Sequence, residues 1–152
     1  MKRSIRVLKV KYLLAPGTST WSSITGRFID MKETIENSTY ASKKYHGLGI
    51  LLTDWGDMGH LQYLPSSYLG FIYGAMLSWS SGKIEDAEKY LEIILNDEIL
   101  AKVIVELSRY HELEGEYRDY GTRLFASIMW AEHGKRQDDK VNFFLNRMKS
   151  NI

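Results

Sequence analysis

Leu48-Gly49-Ile50-Leu51-Leu52-Thr53-Asp54-Trp55-Gly56-Asp57-Met58-Gly59-His60-Leu61-Gln62 is the stretch whose reading decides the fold. Its first five residues are apolar and short, which predicts a buried strand over 48–53. Two carboxylates, an indole, an imidazole and an amide then arrive within ten residues. Gly56 and Gly59 allow sharp turns there. A buried strand ending in a glycine-broken polar and aromatic cluster is a common ligand-site design in α/β proteins.

Working outward, the residues before this stretch read as a strand, a loop and a helix. Residues 4–14 alternate Ile5, Val7, Val10 and Tyr12 with basic residues and stop at Ala15-Pro16-Gly17, a turn signal. The polar loop Thr18-Ser19-Thr20-Trp21-Ser22-Ser23 follows. Phe28, Met31, Ile35, Ala41 and Tyr45 then place one apolar side on a helix from about Arg27 to Tyr45, ended by His46-Gly47. Beyond the cluster, Pro65 suits the first turn of a helix carrying Tyr68, Phe71, Ile72, Ala75, Met76 and Trp79, with Trp79 expected in the core. Two strands joined through one helix should pair in parallel. Both polar clusters then fall at the C-terminal ends of their strands, the functional face of open α/β sheets and (β/α)8 barrels.

From residue 82 the signals are helical. Ile84, Ala87, Leu91, Ile94 and Leu95 form a stripe over 83–96. Asp97 suits the N-cap of a helix reaching Glu114, with Ile99, Leu100, Val103, Ile104, Leu107 and Tyr110 inward and Gly115 at the stop. Helices over 121–133 and 137–149 carry Leu124, Phe125, Ile128 and Met129, then Val141, Phe144, Leu145 and Met148. The expected organisation is therefore a barrel-like portion over 1–81 and a helical region over 82–152 that packs on it. The fold class is a mostly helical α/β fragment.

With 152 residues, the chain can build one real core. Hydrophobic residues make up 44% and charged residues 26%, ordinary for a globular protein. A formal net charge of +1 gives no broad field for nucleic acid or an acidic membrane surface, so neither is expected as a partner. The basic run Lys2, Arg3, Arg6, Lys9 and Lys11 reads as the solvated face of a strand. Without cysteine there is neither a disulfide nor a thiolate metal site. No apolar run approaches the ~20 residues that span a bilayer, and the N-terminus lacks the apolar core of a secretory signal. The default expectation is a cytoplasmic location.

The chemistry of the cluster has bland readings beside the sharp ones. Asp54 and Asp57 at i and i+3 point to opposite faces of an extended stretch, so they are poor partners for joint acid/base work. The expectation is a split in which one orients the backbone or a neighbour and the other binds a ligand hydroxyl. His60 with these acids makes only a weak metal set, because no second His or Glu stands at ligand spacing. No metal and no cofactor are expected. Trp55, on a strand end between two acids, reads as a pocket wall rather more than as a core residue. Pro16 to Trp21 lacks the glycine spacing and lysine of a phosphate loop, and neither Ser19 nor Ser22 has a nucleophile-elbow context. The loop is read as a frame that presents Trp21. The Tyr110, Tyr117 and Tyr120 run reads as helix packing.

Pro16-Gly17-Thr18-Ser19-Thr20-Trp21, Gly26-Arg27, Leu51 to Gly59-His60 with Gln62, Pro65-Ser66 and Gly74-Ala75 with Ser78-Trp79 together resemble the end of a family-20 glycoside hydrolase catalytic domain. These are β-N-acetylhexosaminidases built on a (β/α)8 barrel. The resemblance covers about residues 12–80, and the Trp55 segment is its most specific part. It implies that strands 4–14 and 48–53 correspond to the last two barrel strands. It implies that Trp55 lines the pocket for the acetamido methyl of an N-acetylhexosamine, that Trp21 is a second wall, and that Asp57 binds hydroxyls of the terminal sugar. Asp54 and His60 complete the expected substrate-binding set.

The family works by substrate assistance, with an Asp-Glu pair after the fourth strand supplying acetamido orientation and the general acid. This chain has no such segment. Its one Asp-Glu dipeptide, Asp97-Glu98, follows helical Ile93-Ile94-Leu95-Asn96 and reads as the opening of the next helix. The resemblance thus implies a sugar-binding part without catalytic residues, inactive alone.

Size raises a second expectation. Two strands do not make a stable parallel sheet covered on both faces, and a whole barrel needs roughly 250 residues. The chain is expected to self-associate or to meet a partner chain that completes the barrel. The alternative function is a non-catalytic helical interaction or structural module.

Overall fold

The computed structural model describes residues 10–56, 61–80, 82–114 and 121–129. Two short strands and five α-helices lie among them, in the order β1 (Leu13–Leu14), α1 (Phe28–Lys44), β2 (Gly49–Ile50), α2 (Pro65–Trp79), α3 (Ile84–Leu95), α4 (Glu98–Ser108), a 3-10 turn (Tyr110–Glu114) and α5 (Arg123–Met129). The molecule is mostly helical with a small two-stranded parallel sheet. The expected helices over 137–149 and the end of 121–133 lie outside the described residues, as does most of the expected strand 4–14.

β1 and β2 pair in parallel, Leu13 opposite Gly49 and Leu14 opposite Ile50, and an isolated bridge joins Gly17 to Thr53. Backbone donors on the second segment step from Leu48 to Tyr12 O (2.9 Å), Leu51 to Leu14 O (2.8 Å) and Thr53 to Pro16 O (2.9 Å). The three pairs keep one register. Gly49, at φ +147°, sits in a backbone conformation that a side chain would strain. The strand expected over 48–53 is regular only at Gly49–Ile50, with Thr53 rejoining through the isolated bridge.

α1 buries Phe28, Met31, Ile35, Thr39 and Ser42, a stripe at helical spacing. It ends in a Schellman motif. His46 takes the left-handed conformation (φ 57°) and the Gly47 N–H reaches back to Ser42 O at 2.8 Å. The Ser42 hydroxyl donates to Gly49 O (3.0 Å), which seats the helix on β2. α2 starts with Pro65 at its first turn. Asp97 caps α4, accepting from the Leu100 N–H at 2.9 Å.

The core joins Phe28, Met31 and Ile35 of α1, Leu69 and Tyr73 of α2, Ile84, Ala87 and Leu91 of α3, and Ala101 and Val105 of α4. Leu52, just past β2, packs on it. Several expectations need correction. Trp79 is not core: at the last residue of α2 it is 93% exposed. The helix expected to run to Glu114 stops at Ser108 and tightens into the 3-10 turn. Ile94, Ile99, Leu100, Val103 and Leu107 remain exposed, because α3 and α4 pack through Leu91, Ala101 and Val105 instead. The sheet is covered on one side only: Leu14, Ile50 and Leu52 are half-buried, whereas Leu13, Leu48 and Leu51 are exposed.

Candidate functional site

The C-terminal ends of β1 and β2 meet where Gly17 bridges Thr53. The Thr18 N–H donates to Thr53 O at 3.0 Å, and the Thr53 hydroxyl donates to Pro16 O at 3.1 Å. The chain after Gly17 then folds tightly. Ser19 and Ser22 both adopt left-handed backbone angles (φ 56° and 53°). Such conformations cost energy away from glycine and persist where the surroundings enforce them. Here the enforcement is visible: the Ser23 hydroxyl donates to Thr20 O (2.6 Å) and accepts from the Gly26 N–H (2.9 Å).

Asp54 is the centre of a buried polar cluster. Its Oδ1 accepts hydrogen bonds from the hydroxyls of Thr18, Thr20 (2.9 Å) and Ser67 (3.0 Å). Thr18, Thr20 and Ser67 are buried, Ser67 completely. Each hydroxyl has one proton to give, so all three protons converge on a single carboxylate oxygen. The hydroxyls themselves approach to 3.1 and 3.2 Å. Buried Gln62 extends the cluster, its Nε2 donating to Thr20 Oγ1 and to Trp55 O, both at 3.4 Å. The cluster ties together three separate pieces: the loop after β1, the end of β2 and the first turn of α2. Asp54 therefore has its Oδ1 committed to its own chain.

The two indoles flank the Gly17–Thr53 bridge. Trp55 Nε1–H donates to Thr53 Oγ1 at 2.9 Å, and the residue is 53% exposed. Trp21 lies over Gly17. A Cβ on that glycine would stand 2.5 Å from Trp21 Cζ3 and 3.6 Å from Thr53 Oγ1, so only glycine lets the ring come this close. The guanidinium of Arg27 sits 5.0 Å from the Trp21 ring centre. Arg27 also pairs with Asp30 at 2.7 Å. Its burial lowers its pKa from the ordinary arginine value, and the neighbouring Asp30 carboxylate works against that shift. Trp21 is half-buried, with Arg27 close to its ring, whereas Trp55 is the open ring.

Asp57 and His60 lie outside the described residues. Of the expected set, the structure brings Trp21, Trp55 and Asp54 to one strand end. Asp97-Glu98 is far from it in role: Asp97 caps α4 and Glu98 pairs with Lys102 on the helix surface. Among the described residues, no group of three or more His, Asp or Glu stands ready to hold a metal ion.

A cavity beside these elements, lined by Thr18, Thr20, Arg27, Ser66 and Ser108 among others, has about 10 Å³, room for one water molecule and no sugar. Another, of about 320 Å³, lies between α3 and α4 against Glu88, Glu92, Lys102 and Glu106. The residues that sequence reasoning missed are Thr18, Thr20 and Ser67. Their signal was faint: short hydroxyl side chains in a polar loop and just after a helix-opening proline.

No family model, curated protein or solved structure matches this chain.

Proposed function

We propose that this chain is the sugar-binding, C-terminal part of a β-N-acetylhexosaminidase-like glycoside hydrolase, built from the last two units of a (β/α)8-type barrel and a helical region. The observation that carries the reading is that Trp21, packed on Gly17, and Trp55, bonded to Thr53, flank the Gly17–Thr53 bridge at the C-terminal ends of two parallel strands. A pyranose presents a face of C–H bonds, and a half-exposed indole with its N–H tethered offers a flat apolar seat for it. The ligand is an N-acetylhexosamine-type sugar, with Trp55 as the principal wall, Trp21 behind it, and Asp57 and His60 as further candidates from the sequence. The reading includes no catalytic residue, because the family's Asp-Glu pair has no counterpart here. It also carries the expectation of a cytoplasmic location. Among the described residues no helix is long and apolar enough to cross a membrane.

The test is titration of the full chain with N-acetylglucosamine, read by intrinsic tryptophan fluorescence. The expected result is saturable quenching that Trp55→Ala abolishes, with no release of nitrophenol from a nitrophenyl N-acetylglucosaminide. An unchanged spectrum overturns the sugar reading, and turnover lost on Asp57→Ala overturns the non-catalytic part.

A second reading, a non-catalytic interaction module, is favoured by the uncovered sheet side at Leu13, Leu48 and Leu51. Parallel sheets are normally covered on both faces and paired at their edges. In this reading the chain self-associates or meets a partner chain that supplies further parallel strands. Sedimentation of the pure chain across a range of concentrations tests self-association. A monomer throughout removes the second copy as the occupant.

A further inference from the structure

We propose that Asp54 is the positioning residue of the indole site: it touches no ligand and instead fixes the orientation of Trp55 by anchoring the segment that carries it. The inference rests on the reading of Trp55 as a sugar seat, and goes beyond it by assigning Asp54 a role other than the hydroxyl-binding one expected from sequence.

Three observations carry it. Asp54 lies between Thr53 and Trp55, and its Oδ1 gathers the hydroxyls of Thr18, Thr20 and Ser67 from two other parts of the chain. The Trp55 residue is then held at both ends. Its ring nitrogen donates to Thr53 Oγ1 (2.9 Å), and its carbonyl accepts from Gln62, whose same amide nitrogen bonds Thr20. Thr20 therefore links Asp54 to the clamp on the Trp55 backbone. Finally, the anchor is buried while the ring it serves is exposed, with Thr20 at 1% and Trp55 at 53% of full accessibility. An exposed aromatic ring ordinarily samples several rotamers. Here a carboxylate, three hydroxyls and an amide link up with the segment that carries the ring, and they act to hold it in one orientation. Preorganisation of this kind lowers the ordering cost of binding.

The test uses the full chain labelled with nitrogen-15, observing indole N–H signals without and with N-acetylglucosamine. Trp79, 93% exposed at the far end of α2, serves as internal control for the overall fold. In the absence of sugar, Asp54→Asn keeps shape and removes charge. The expected result is a shifted Trp55 indole signal and roughly tenfold faster solvent exchange of that proton, with Trp79 unchanged. Asp54→Ala should move Trp55 further in the same direction, and Thr20→Val less. If Asp54→Ala fails to fold, the Asn and Thr20→Val variants carry the same comparison. A Trp55 signal identical to wild type in Asp54→Asn and Thr20→Val overturns the proposal, as does equal displacement of Trp55 and Trp79.

The sugar arm separates the two readings. If sugar leaves the wild-type indoles unmoved while Asp54→Asn still releases Trp55, the sugar reading falls and the positioning role stands. If sugar binds wild type and Asp54→Asn with equal affinity, the positioning role falls and the sugar seat stands.

Discussion

The strand-end region and the α3–α4 pair are built on opposite principles. α3 and α4 hold together through apolar side chains at helical spacing, Ile84, Ala87 and Leu91 against Ala101 and Val105. The strand end holds together through buried hydroxyls around one carboxylate, and leaves Leu13, Leu48, Leu51 and Trp55 exposed. Apolar burial is non-directional and tolerates adjustment, so it makes a support. Hydrogen bonds from several elements to one atom specify geometry, so they make a frame that holds something in place. Exposed apolar side chains occur in both regions, at Ile94, Ile99 and Leu107 as at Leu51, so what sets the strand end apart is its hydrogen-bonded frame beside an exposed indole.

That contrast is open to breakage by mutation. The largest effect is expected in the support. Leu91→Ala, at a fully buried position, should cost about 2–5 kcal/mol in denaturant unfolding and leave Trp55 exposure unchanged until the chain unfolds. Next comes the frame: Asp54→Ala strands three hydroxyls without their acceptor and should cost about 1.5–3 kcal/mol. If it costs less than Asp97→Ala, the cluster is ornamental and the comparison fails. Asp97→Ala removes the α4 cap and should cost about 1 kcal/mol by the same measurement.

A smaller effect is expected at Glu36, where α1 meets α2. Burial works to raise this carboxyl, but hydrogen bonds from Tyr73 and Lys32 outweigh it, and its pKa is lowered. A lowered carboxyl stabilises the fold above its unfolded pKa, and that contribution is lost as pH falls through the folded value. Melting temperature should therefore drop on acidification more for wild type than for Glu36→Gln. Parallel curves for the two would remove this linkage. The smallest effect on folding belongs to the uncovered sheet side. Leu51→Ser should change stability by within about 0.5 kcal/mol, since the side chain is already in solvent, while weakening any concentration-dependent association seen by sedimentation.

Legibility in the sequence divided along the same line. The first half of the α1 stripe (Phe28, Met31 and Ile35), Pro65 at the start of α2, Asp97 at the start of α4 and the parallel pairing across α1 all followed from spacing and local chemistry, whereas Tyr45, expected on the same stripe, is exposed. Periodicity finds a face but does not say which neighbour covers it. For that reason Val103 and Leu107, at core-like spacing on α4, stand exposed, and Trp79 projects past the last turn that could bury it. The Asp54 cluster was out of reach for a different reason. Its partners Thr18 and Thr20 lie 36 and 34 residues away, and nothing local marks a threonine as the donor to a distant carboxylate. The positive φ of Gly49 was equally hidden, because a glycine inside an apolar run fits a regular strand as well as an irregular one.

The proposal that the framed indole at the strand end seats an N-acetylhexosamine is tested most directly by a two-dimensional nitrogen–proton spectrum of the intact chain with increasing N-acetylglucosamine, following the indole N–H signals. The expected result is that Trp55 moves most, Trp21 less and Trp79 not at all, along a saturating curve. Indole signals that stay fixed, or that all drift together in proportion to sugar concentration, would contradict it.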